Sequence, residues 1–130
     1  MSLDIQIHPP ANGNQRVALA GRLDTHSHAQ LDASLAPLLA APPRGSVLVL
    51  ELTGLEYISS AGIRSIFKAR KALAAHGGKV LVVDPQPQIQ KVFDLVKAVP
   101  MNEIFSSTAE ADAYLDAMQR KVLEGDEDDD

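Results

Sequence analysis

Leu3, Ile5 and Ile7 alternate with polar residues at the start of the chain, and Val17 and Leu19 do the same ahead of Gly21. With the turn-rich stretch Pro9-Pro10-Ala11-Asn12-Gly13-Asn14 between them, the pattern predicts an amino-terminal β-hairpin. Past Gly21-Arg22-Leu23-Asp24-Thr25 the period changes. Leu31, Leu35, Leu38 and Leu39 follow helical spacing, with Asp24 or Thr25 available as N-cap and Pro37 expected to bend or loosen the last turns. Val47-Leu48-Val49-Leu50 and Val80-Leu81-Val82-Val83 are nearly continuous apolar runs, the pattern of central strands covered on both faces. Between them Ile63, Ile66, Phe67, Leu73 and Ala74 mark one face of a helix, which Gly77-Gly78 brings to a stop. This is a strand-helix-strand unit with parallel pairing.

Beyond Asp84-Pro85, Ile89, Val92, Phe93 and Val96 predict a short helix, Pro100 breaks it, and Glu103-Ile104-Phe105 suits a short edge strand. Ala111, Tyr114, Leu115, Met118 and Val122 then define a terminal helix. Two strands followed by alternating helices and strands predict an α/β sandwich with a mixed sheet of four to five strands and about four helices. There is no internal repeat.

Charge and length narrow the function classes. The 130 residues suit one domain, expected over residues 1–123, followed by the acidic tail 124–130. That tail holds six of the seventeen acids, so the formal charge of −5 belongs to it and the folded part sets eleven acids against twelve bases. A near-neutral body offers no broad basic surface, which argues against direct nucleic-acid binding. The tail itself reads as a solvated, disordered segment. With no cysteine there is no disulfide framework, thiol nucleophile or thiolate metal site, which fits a reducing cytoplasm. No apolar stretch approaches the roughly 20 residues that cross a bilayer, so no membrane association is expected.

The chemistry-bearing segment is Tyr57-Ile58-Ser59-Ser60-Ala61-Gly62-Ile63-Arg64, at the junction of a strand and a helix. Unpaired N–H groups and the helix dipole favour negative charge at a helix start, so a phosphate on a serine there would be stabilised. A helical wheel aligns Ser60 with Arg64, Lys68 and Lys71 and predicts that Ser60 faces solvent, where a phosphoryl group would reverse the local potential. The plainer reading is a serine cap beside a solvated basic face. Gly62 in the first helical turn costs about 1 kcal/mol against alanine and so demands either a close backbone approach or tight packing.

Catalysis finds little support. The glycines of a hydrolase elbow and of phosphate-cradling loops are absent, and no paired carboxylates occur. His26, His28 and Asp24 form the nearest approach to a metal-dependent site, and two imidazoles without a third firm ligand bind metal weakly. No metal and no cofactor is expected.

Gly21-Arg22-Leu23-Asp24, together with the run from Leu50 through Thr53-Gly54 and Ser59-Ser60-Ala61-Gly62 to Arg64, resembles the STAS domain of bacterial anti-sigma factor antagonists. The likeness extends from about Leu3 to Val122 and takes in Lys79-Val80-Leu81-Val82, Val92-Phe93-Asp94-Leu95 and Ile104-Phe105. It implies a small cytoplasmic, non-enzymatic protein that binds a kinase-type anti-sigma factor. That serine kinase phosphorylates the antagonist and weakens the complex, and a metal-dependent serine phosphatase resets it. Aligned on Gly62, the family's phosphoacceptor falls on Ser60, with Ser59 as the alternative. The family's acceptor usually follows an aspartate and precedes a second hydroxyl residue, whereas Ser59 and Ala61 stand here. The implied partner-binding surface takes in Asp24, Thr25, Tyr57, Ile58, Ser59, Ser60, Ala61, Gly62, Arg64 and Lys68. A constitutive STAS subunit of an ABC-type lipid transporter or signalling assembly is the competing expectation, and the edge strand or terminal helix leaves room for a weak homodimer.

Overall fold

The computed structural model describes residues 3–11, 13–40, 42, 44–98 and 107–125. Leu3–Ile7 (β1) and Asn14–Leu23 (β2) form the hairpin that the alternation predicts, antiparallel and registered with Leu3 opposite Gly21 and Ile7 opposite Val17. There follow His28–Ala40 (α1), Val47–Ile58 (β3), Ser60–Ala74 (α2), Lys79–Val83 (β4), Pro87–Ala98 (α3) and Thr108–Leu123 (α4). The sheet runs in the order β1-β2-β3-β4, with β2-β3 and β3-β4 parallel. Parallel neighbours need long connections, which α1 and α2 supply.

Side chains alternate across a strand, so one face of the sheet collects Val17, Leu19, Leu48, Leu50 and Leu52, all buried. Leu31 and Leu35 of α1, Ile63, Ile66 and Leu73 of α2, Ile89 and Val92 of α3 and Leu115 of α4 complete one core against that face. The opposite face carries Asp4, Gln6 and an Arg16–Glu51 ion pair. The expectation that both apolar runs are covered on both faces is therefore not met. Val47 and Val49 are only half-buried, and β4 ends the sheet among the described residues, with Leu81 and Val82 exposed. Their branched and apolar side chains reflect strand propensity more than burial. The edge strand expected at Glu103–Phe105, and residues 126–130 of the acidic tail, lie outside the described residues.

Helix α1 starts at His28, past the expected caps Asp24 and Thr25, and continues through Pro37 to Ala40. The buried stripe of α2 is Ile63, Ile66, Ala69 and Leu73, while Phe67 and Ala74, expected on the core face, are exposed. The α2 helix stops where Gly77 adopts φ +73° and the Gly78 amide donates to the Leu73 carbonyl at 2.8 Å. In α4, Tyr114 points outward and Gln119 inward.

Strand β3 outruns β4. Its pairing with β4 ends at Glu51–Val83, whereas its pairing with β2 continues to Ile58. Over the overhang, side-chain amides take the place of a strand. Gln86 donates to the Thr53 carbonyl (2.8 Å), Gln88 to Glu56 (3.0 Å) and Gln119 to Ile58 (2.8 Å). Carbonyls of the overhang, the buried one of Ile58 among them, are thereby satisfied without a further strand.

Candidate functional site

Strands β2 and β3 end side by side, with Leu23 opposite Ile58 and the Ser59 amide donating to the Leu23 carbonyl at 2.9 Å. There β3 passes straight into α2. Ser59 keeps an extended backbone, φ −98° and ψ 176°, and its hydroxyl accepts from the Gly62 amide at 3.3 Å, which makes it the N-cap. Ser60 is then the first helical residue. A Cβ at Gly62 would lie 2.6 Å from Leu23 Cγ and 2.9 Å from the Leu23 carbonyl oxygen. The glycine is thus demanded by packing of the helix start against the end of β2.

Ser60 does not face solvent. It is 1% exposed, and its amide (2.9 Å) and hydroxyl (2.7 Å) both donate to Oδ1 of Asp112, in the second turn of α4. The wheel correctly aligns Ser60 with the exposed Arg64, Lys68 and Lys71, but an element from the far end of the chain covers the head of that stripe. A carboxylate at this place satisfies orphan donors and meets the positive end of the helix dipole. Seven residues on, Gln119 reaches the same segment. Its Oε1 accepts from the Ile58 amide at 3.0 Å, and its Nε2 donates to the Ile58 and Leu115 carbonyls at 2.8 and 3.1 Å. Helix α4 therefore holds both Ile58 and Ser60.

The neighbouring turn is built by Asp24. Its Oδ1 accepts from the amides of His26 (3.0 Å) and Ser27 (3.1 Å), while the buried Ser27 hydroxyl donates to the Arg22 carbonyl at 2.7 Å. Burial pushes the Asp24 carboxyl up, but these hydrogen bonds and the nearby Arg22 outweigh it and leave the carboxyl below its ordinary range. The Arg22 guanidinium lies 4.0 Å from the centre of the Tyr57 ring and its Nε 3.5 Å from Asp24 Oδ2. Burial, with the charges of Asp116 and Asp112 adding to it, pushes the Tyr57 phenol up.

The expected binding residues divide into two groups. Thr25, Arg64 and Lys68 are exposed and Asp24 and Tyr57 half-exposed, whereas Ile58, Ser59, Ser60, Ala61 and Gly62 are buried. Lys68 approaches Asp32 of α1 at 3.9 Å. Among the described residues no three of His, Asp and Glu gather as a metal group, His26 is exposed, and His28 stands 3.7 Å from Asp32. Asp112, Gln119 and Ser27 escaped the sequence reading. Asp112, Leu115 and Gln119 stand at i, i+3 and i+7, so a polar pair on the buried stripe of α4 was the available signal.

A family model for the STAS domain matches residues 8–111. The anti-sigma factor antagonist BtrV, so assigned in Bordetella bronchiseptica, is 30% identical over 103 residues, which cover 78% of this chain and 87% of BtrV. An anti-sigma F factor antagonist of Lysinibacillus sphaericus is 30% identical over 79 residues, 59% of this chain and 65% of that one. In fold, the chain is similar to the anti-sigma factor antagonist SpoIIAA in its unphosphorylated form, with TM-score 0.59 at 21% identity over 71% of this chain and 83% of SpoIIAA. The phosphorylated form of SpoIIAA gives a TM-score of 0.58, also at 21% identity, over 71% of this chain and 82% of that one. With four strands and four helices among the described residues and a matched span that contains both the Asp24 turn and Ser60, this chain belongs to the STAS domain family.

Proposed function

We propose that this chain is a cytoplasmic, non-catalytic anti-sigma factor antagonist that binds a kinase-type anti-sigma factor and is controlled by phosphorylation at Ser60, with Ser59 as the alternative acceptor. The observation that carries the reading is the adjacency of the serine pair to the Asp24 turn, fixed by the Leu23–Ile58 pairing. Two relatives at 30% identity bear the antagonist name. The partner meets Asp24, Thr25, Tyr57, Arg64 and Lys68, and a phosphate at the helix start changes the charge it meets. A metal-dependent serine phosphatase restores the binding form.

Capture of partners on the tagged chain from its own host, followed by incubation with ATP and peptide mapping, tests this. A bound serine kinase and a phosphate on Ser60 or Ser59 are expected. Recovery of a transporter ATPase, with no phosphate under any growth condition, would refute the reading. That outcome belongs to the second reading, a constitutive STAS subunit, which the burial of both serines favours: Ser59 is 2% and Ser60 1% exposed.

A further inference from the structure

The Ser60 hydroxyl is both covered and committed. Its hydrogen bond goes to Asp112, and the same carboxylate oxygen takes the Ser60 amide. Transfer of the terminal phosphoryl group of a nucleoside triphosphate to Ser60 Oγ makes one O–P bond, breaks the bridging P–O bond and releases the nucleoside diphosphate, while the hydroxyl proton, which in the docked form is hydrogen-bonded to Asp112, passes to a carboxylate base of the kinase. The product carries nearly two negative charges and three acceptor oxygens. It would compete for the donors Asp112 uses and repel that carboxylate. Two such anions cannot share the head of α2.

We propose that α4 is a latch on Ser60: modification and docking of α4 exclude one another, through Asp112 and then Gln119. The inference rests on the reading of Ser60 as the modified residue. An incoming kinase then acts on the form in which α4 has swung away, and the phosphate holds it away afterwards. Undocking frees the Ile58 amide and carbonyl from Gln119 and exposes Leu115, which is fully buried in the closed form. The modified protein therefore differs from the unmodified one in shape as well as charge. The spacing supports a concerted release, because Asp112, Leu115 and Gln119 lie on one stripe of α4.

The test installs phosphoserine at position 60 of the full chain by genetic encoding, without any kinase, and follows amide hydrogen exchange by mass spectrometry. Peptides covering 107–123 and 57–60 should exchange about tenfold faster than in the unmodified chain, while core peptides from β3, such as 47–52, keep their protection. Asp112→Asn, which can donate to the phosphate, should restore much of the lost protection. Unchanged exchange over 107–123 would overturn the latch, and so would uniform loss across β3. If the phosphoprotein cannot be isolated folded, Asp112→Ala in the unmodified chain decides: selective deprotection of 107–123 and 57–60 supports the latch, unaltered exchange there refutes it. Because the phosphate is installed synthetically, its absence in the host would refute the phosphorylation reading and leave this measurement standing. Failure of the latch would equally leave a surface-charge switch intact.

Discussion

One carboxylate oxygen of Asp112 receives both the backbone N–H and the side-chain O–H of Ser60, across 52 residues of sequence. A hydrogen bond to a charged group contributes about 1.5–3 kcal/mol, more than a neutral one. Asp112→Ala should thus lower unfolding free energy by roughly 1–3 kcal/mol, and Ser60→Ala by about 1 kcal/mol. In a double-mutant cycle by denaturant melts, the double variant should fall short of the sum by at least about 0.5 kcal/mol; strict additivity would mean that the pair is not coupled.

Gln119 is a second long-range tie with a different weakness. Its amide is 1% exposed and serves both backbone groups of Ile58. Gln119→Leu keeps most of the volume but leaves a buried N–H and C=O unpaired, at about 1–3 kcal/mol for each. The loss should exceed that of Asp112→Ala, with faster amide exchange at Ile58. Equal stability of Gln119→Leu and the parent would show that water replaces the amide.

At Gly62 two principles predict opposite signs. Helix propensity favours alanine by about 1 kcal/mol, whereas the 2.6 Å approach to Leu23 Cγ penalises any Cβ by about 1–3 kcal/mol. The contact involves a fixed carbonyl as well as a side chain, so strain should win. Gly62→Ala is expected to reduce the melting temperature, and a rise would mean that the start of α2 can shift off β2.

The Tyr57 phenol is held above its ordinary value of 10.0 by burial, with Asp116 and Asp112 adding to it. Below about pH 10 the phenol is neutral whether folded or unfolded, and its contribution to stability is at its full value. As pH rises from there toward the folded-state value, the unfolded chain ionises first and stability falls. Tyr57→Phe should flatten that decline in denaturant melts taken above about pH 10. It should also remove the raised tyrosine step from an ultraviolet titration. A raised step that survives the substitution would assign the shift elsewhere.

Local order was largely legible in the chain. The alternation at Leu3, Ile5 and Ile7, the helical spacing through Ile89, Val92 and Val96, and the Gly77-Gly78 stop each depend on neighbours within a few residues, and each element formed as the pattern predicts. The serine-bearing junction and the Asp24 turn were found together because both sit in short, distinctive segments. Burial across distance was not legible. The wheel aligns Ser60 with Arg64 and Lys68, yet nothing near Ser60 reports that Asp112 will land on it. Leu81 and Phe67 failed in the opposite sense, since apolar character states what a residue tolerates and the sheet order decides what covers it.

The glutamine amides along the overhang of β3 also govern how this protein behaves in a crowd. An unpaired strand end is a template on which other chains assemble, and the segment from Thr53 to Ile58 would be one, lying beside the serine pair. Gln86, Gln88 and Gln119 occupy its hydrogen-bonding positions with groups that cannot propagate a ladder, because a side-chain amide presents no second edge to the next molecule. Strand addition is thereby hindered at the serine end of that edge.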